Sequence, residues 1–221
     1  MSTLKLNGSS SGNAQVTVAA AAGTPTITLP TASIDFSSAG TDGQFLKTNG
    51  SGTLSFATVT DTTGLTVADQ WRVTANWTGN ATPITSNWER VDNTSQGTIG
   101  SAMTESSGAF SFPSTGIYFV TFGFTGNDAD TQSDYIGAQM NVSIGGGGFG
   151  AVNVSYSNTH GEGVSYGHVY IQSLIDVTVA QGDTNPTKVN FEAFSSNGAF
   201  VYQGGSTNNH TYATFLRLGD T

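Results

Sequence analysis

The chain has 221 residues, 36% hydrophobic and 10% charged, with 29 Gly and no Cys. Its β-branched and aromatic content can offset chain entropy, which excludes a disordered polymer, and the missing Cys excludes disulfide stapling. Charge is segregated: Lys5 and Lys47 balance Asp35 and Asp42 in residues 1–60, so the net −9 lies wholly beyond them. That acidic portion repels phosphate backbones and anionic lipid, so no nucleic-acid or membrane partner is expected. Nothing nears the ~20 apolar residues of a membrane-spanning helix.

In chain order, residues 1–60 read as short strands separated by turn chemistry. Leu4–Leu6 leads into Asn7-Gly8, Gln15–Val18 follows, and Thr26–Leu29 stops at Pro30. Asp42-Gly43 introduces Gln44–Lys47, and Asn49-Gly50 introduces Thr53–Phe56; Asn-Gly and Asp-Gly adopt positive φ readily and mark tight turns. The large apolar side chains here are too few and too scattered to close a core in one copy. Residues 61–68 read as a linker.

From Asp69 the pattern changes. Asp69-Gln-Trp71-Arg72-Val73 opens a second part, and Trp77, Trp88 and Arg90 follow. Phe110 and Phe112 share one strand face, Pro113 ends that strand and Gly116 permits the turn, after which Ile117–Phe124 predicts a strand buried on both sides. Ile136–Ile144, Phe149–Tyr156, Tyr166–Leu174, Ile175–Val179, Val189–Phe194 and Thr211–Leu218 continue a series of short strands, with Gly145–Gly148 read as a loop. The class is all-β, and the regular spacing predicts a sandwich or jelly roll.

The spacing of Phe110, Gly116, Tyr118, Val120 and Phe122 resembles the signature of the complement globular-head family, whose members share a jelly roll with tumour necrosis factor. Ile175-Asp-Val177-Thr-Val179-Ala-Gln-Gly182-Asp183 resembles that family's strand into a Gly-Asp turn, and Tyr212–Leu218 resembles its closing strand. Val120 departs from the usual Phe. Over residues 69–221 the resemblance implies a ten-strand-type jelly-roll sandwich, a homotrimer and binding rather than catalysis. The run from Gly40 to Phe56 resembles a segment near the base of phage fibre and other virion proteins.

No set of nucleophile, base and orienting acid emerges, and His160, His168 and His210 share no metal-ligand spacing. Asp128 and Asp130 alternate as calcium ligands do, with Asn127 and Asp134 nearby, but the central Gly and terminal Glu of an EF loop are missing. Asp128, Asp130 and Asp134 are therefore the candidate calcium ligands, set against a plain solvated loop. Trp77 and Trp88 lie among amide side chains, as sugar-stacking rings do, and are candidate glycan contacts; the alternative is that they fill a core.

These readings imply a non-enzymatic virion structural protein of a tailed phage. It would be a short trimeric appendage: a capsid decoration spike, head fibre or short tail fibre. Residues 1–60 would attach it to other virion proteins and residues 69–221 would project, possible host-surface glycan being the outward partner. Assembly in the host cytoplasm suits the Cys-free chain, whose first residues do not read as a secretory signal. The alternative is a soluble lectin-like glycan- or protein-binding module.

Overall fold

Apolar residues at a period of two put the chain into strands, and no helix occurs among the described residues. The structure, a computed structural model, describes residues 3–7, 13–17, 41–48, 54–58, 64–129, 132–160 and 163–221. Two units divide the chain, Met1–Asp61 and Thr62–Thr221.

In the first unit, β1 (Thr3–Asn7) pairs antiparallel with β2 (Asn13–Thr17), and β3 (Gln44–Thr48) with β4 (Leu54–Thr58). The predicted strand Thr26–Leu29 and the Asn49-Gly50 turn lie outside the described residues. Phe45 and Leu46 on β3 are both exposed. Adjacent strand residues point to opposite faces, so this hairpin leaves apolar groups bare on both of its sides.

The second unit is a two-sheet sandwich. Its strands are β5 (Ala68–Val73), β6 (Trp77–Thr78), β7 (Trp88–Arg90), β8 (Thr104–Ser106), β9 (Ala109–Ser111), β10 (Gly116–Ala129), β11 (Ile136–Ser143), β12 (Gly150–Ser157), β13 (Val164–Val177), β14 (Lys188–Ser195), β15 (Val201–Tyr202) and β16 (Thr211–Gly219). One sheet runs β7-β5-β16-β10-β13, with β15 and β6 continuing it beside the far end of β10. The other runs β8-β9-β14-β11-β12. All pairings are antiparallel.

Two turns show why the sequence breaks where it does. Ser107 and Gly108, with φ of 51° and 82°, form the two-residue loop between β8 and β9, the positive-φ pair of a type I′ hairpin. A Cβ on Gly108 would meet the Ile84 carbonyl oxygen at 2.1 Å. Gly145 and Gly146 likewise have φ of 62° and 75°, and the Gly147 N–H donates to the Ile144 carbonyl at 3.1 Å. The Gly145–Gly148 run is thus a tight turn between β11 and β12. One boundary differs from expectation: Tyr166–Leu174 and Ile175–Val177 are one unbroken strand, β13, paired with β10 over its full length.

The core is the inner face of β10 packed against the opposite sheet. Tyr118, Val120, Phe122 and Phe124 are buried. Phe122 stacks on Phe191 of β14 at 4.7 Å and 16°, which joins the two sheets. Phe110 packs against Trp71, Trp88, Phe191 and Phe215. Tyr118 is fully buried against Phe112, and its hydroxyl donates to the Ser114 carbonyl at 3.1 Å, so its polar end is satisfied across the Pro113 turn.

One charged group is built into this frame. Asp69 on β5 has a fully buried carboxylate that accepts from Arg90 Nε at 3.0 Å, Trp71 Nε1 at 3.0 Å and the Met103 N–H at 2.9 Å. Arg90 in turn donates to the Met103 carbonyl at 2.7 Å and lies over the Trp71 ring. The cluster ties β5, β7 and the approach to β8 together.

Two losses of stability follow from this packing. Tyr118→Ala should cost about 3–5 kcal/mol, as other buried aromatic truncations do. Asp69→Ala should cost about 1–3 kcal/mol, because the Trp71 Nε1–H and the Met103 N–H lose their acceptor. Denaturant unfolding of each variant checks both; a loss under ~1 kcal/mol in either would show that the site is not part of the frame.

Candidate functional site

The sheet containing β10 has an outer face that the core does not use. On β13 the side chains alternate, leaving Val164, Tyr166, Tyr170 and Leu174 outward together with His168 and Asp176, and Tyr166 and Leu174 are each 66% exposed. Directly opposed residues in antiparallel strands lie on the same side, so the register carries this face across the sheet. Tyr170 stands opposite Gly123, and Gly123 opposite Tyr212; Leu174 stands opposite Phe119, and Phe119 opposite Leu216. Between these rows lies an uncharged polar one, Gln172, Thr121, Thr214 and Gln70. A Cβ on Gly123 would meet the Tyr170 ring at 2.8 Å, so that ring lies close over the strand. Burial raises the pKa of the Tyr212 phenol, and the Tyr170 phenol adds to the rise.

Single exposed apolar residues are ordinary, whereas a contiguous apolar sheet face marks an interaction surface. The expectation that Ile117–Phe124 is buried on both sides therefore holds on one side only. Ile117 and Phe119 on the outer side are half-buried, and Leu218 of β16 is exposed.

Trp77 and Trp88, read alike from their polar neighbours, have different roles. Trp88 packs on Phe110 at 5.0 Å and 88° and contacts Phe122 and Phe191. Its indole N–H donates to the Ile84 carbonyl at 3.0 Å. Both the ring and its donor are thereby engaged by the protein. Trp77 stacks on Tyr202 at 4.7 Å and 8° at the margin of the same sheet, and it borders a cavity.

Asp128, Asp130 and Asp134 also part. Asp128 is fully buried near the end of β10, where its carboxylate accepts from the Thr159 hydroxyl and from Asn197 Nδ2 at 3.1 Å. Asp134 is exposed, and Asp130 lies outside the described residues. Among the described residues no three His, Cys, Asp or Glu gather as metal ligands. Asp128 is a cross-link between β10 and the segments carrying Thr159 and Asn197, a role that sequence reasoning missed. Continuing the inward alternation Tyr118, Val120, Phe122, Phe124 by two more steps reaches Asp128, which is the signal that could have found it. His160 and His168 are exposed and His210 is half-buried, on separate elements.

Burial raises the Tyr202 phenol to about 12 from 10.0, the Ser195 hydroxyl opposing the rise and the Asp128 carboxylate adding to it.

No protein-family model matches the chain, and no curated protein matches it. Solved structures do. Murine APRIL at pH 5.0 is similar at 11% identity with a TM-score of 0.50, over 69% of this chain and 98% of that one. The Eiger TNF structure from S. frugiperda aligns at 11% identity with a TM-score of 0.49, over 70% and 94%. At such identity the likeness to APRIL shows the fold alone, a tumour-necrosis-factor-like jelly roll in the second unit.

The Tyr202 environment sets an alkaline limit. Above pH 10.0 the unfolded phenol ionises while the folded one keeps its proton to about 12. The unfolded state then binds fewer protons, so stability falls across that interval, by about 3 kcal/mol from this residue. Denaturant unfolding at stepped pH should show this fall in the native chain and a shallower one in Tyr202→Phe; equal slopes would contradict the assignment.

Proposed function

We propose that this chain is a non-enzymatic structural protein of a tailed-phage virion, forming a short homotrimeric appendage on the particle surface. The observation that carries the assembly is the largely apolar outer face of Tyr166, Tyr170, Leu174, Phe119, Leu216 and Tyr212 on a jelly-roll unit, with His168 and Asp176 beside it on β13. An interface of this kind is favoured by apolar area. Three copies about one axis would cover it and close the assembly, so no unsatisfied contact would propagate.

The attachment role rests on the first unit. Its Gly40–Phe56 run resembles virion-fibre base segments, and Phe45 and Leu46 of the β3–β4 hairpin are exposed. Docking of residues 1–60 against capsid or tail proteins would bury these side chains and satisfy open strand edges. The second unit would then project outward, with three linked copies turning weak single contacts into avid ones. Assembly in the host cytoplasm and residence on the virion surface complete the reading.

Two experiments test it. Removing residues 1–60 should leave a folded head that no longer co-sediments with particles; retention on particles would overturn the attachment role. Leu174→Arg places a charge on the outer face and should convert the trimer to monomers in sedimentation velocity while those monomers still unfold cooperatively. A trimer that survives this substitution intact would place the contact elsewhere.

A further inference from the structure

Between β6 and β7, residues 79–87 enclose a cavity of about 280 Å³. Trp77 and Pro83 supply apolar walls, while Asn80, Thr85, Ser86 and Asn87 bring amide and hydroxyl groups. The loop is tied to the sandwich at several points. The Ala81 N–H donates to the Ala193 carbonyl at 2.8 Å, the Ala193 N–H returns to Ala81 at 3.0 Å, and the Ile84 N–H donates to the Phe191 carbonyl at 2.9 Å. Asn80 Oδ1 accepts from the Ser195 N–H at 2.9 Å, and the Asn87 carbonyl accepts from the Thr74 N–H at 2.9 Å. Trp77 is fixed in plane by its stack on Tyr202. The walls are therefore preformed, which lowers the ordering cost of binding.

Several polar side chains around this cavity are unspent. The side chains of Thr85, Ser86 and Asn87 make no hydrogen bond to another described residue, and the Trp77 indole N–H is buried without an acceptor. Among the described residues no Asp, Glu, Lys, Arg or His lines the cavity. An ionic ligand would lose its hydration with no opposite charge to offset the loss, so the lining selects a neutral one. The volume is at the small end of the roughly 300–1,000 Å³ of small-molecule sites, which limits the ligand to about one ring.

We infer that the cavity beside Trp77 binds a single neutral sugar residue. The C–H face of the ring packs on the apolar walls, and its hydroxyls bond to Asn80, Thr85, Ser86 and Asn87. The loop's carbonyls and N–H groups already bonded to the sheet hold these side chains in place.

The test is an NMR titration of the purified full-length protein with glucose, galactose, N-acetylglucosamine and, as the anionic comparison, N-acetylneuraminate. The Trp77 indole resonance is assigned as the one missing from Trp77→Phe. At least one neutral sugar should shift it saturably with a dissociation constant near ~1 mM, and N-acetylneuraminate should not. Ser86→Trp, at an exposed position on the rim, should weaken the binding at least about tenfold with unchanged thermal unfolding. The inference is overturned if no neutral sugar gives a saturable shift, if N-acetylneuraminate binds equally well, or if Ser86→Trp binds like the native chain. Because the readout needs no particle, such a failure leaves the virion reading standing, and loss of the virion reading leaves this site standing.

Discussion

Phe122 stacked on Phe191 is the contact on which the head depends. It joins an inner strand of one sheet to the middle strand of the other, and Phe110, Phe215 and Trp88 close around it. Once β10 turns Tyr118, Val120, Phe122 and Phe124 inward, the pleat requires Ile117, Phe119 and Thr121 to face outward. The register with β13 and β16 then spreads a largely apolar surface over three strands. Core and outer face are two consequences of one alternation, and the outer face is what a homotrimer would cover.

Two charged clusters lie on the β5–β7 side of the same sheet. Asp69 takes Arg90, Trp71 and Met103 as donors, and Arg72, itself fully buried, pairs with Glu89 and Asp92 at 2.5 and 2.6 Å. These clusters lock β5 and β7 onto the sheet, so that β16 and β10 have a rigid neighbour. Removing Arg90 strands the buried Asp69 carboxylate, and removing Glu89 and Asp92 together strands the buried Arg72, which is why such networks resist substitution more than their modest net stabilisation implies.

Much of the fold was legible in the sequence because aromatic alternation is a local signal. Phe110, Phe112, Gly116, Tyr118 and Phe122 marked the turn and central strand correctly, and Thr211–Leu218 marked the closing one. Alternation misled where two apolar residues adjoin: Leu174 and Ile175 looked like a break, yet one faces outward and the other the core along a continuous β13. Tertiary partners were invisible. Nothing local separates Trp77 from Trp88, whose difference lies in Phe110, Phe191 and Tyr202, distant in sequence. Asp128 resembled a calcium ligand by spacing to Asp130, while the strand phase that buries it runs back to Tyr118. The cavity beside Trp77 depends on residues 81 and 84 meeting β14, a pairing with no signature in the loop itself.

The central claim is that the outer face of the β10 sheet is an interface between copies of this chain. Light scattering on the purified protein, together with residues 62–221 alone, measures it most directly. The account predicts a full-length mass three times 22.7 kDa and a truncated head that remains three chains. A stable monomer in both would contradict it and leave the apolar face to some other partner.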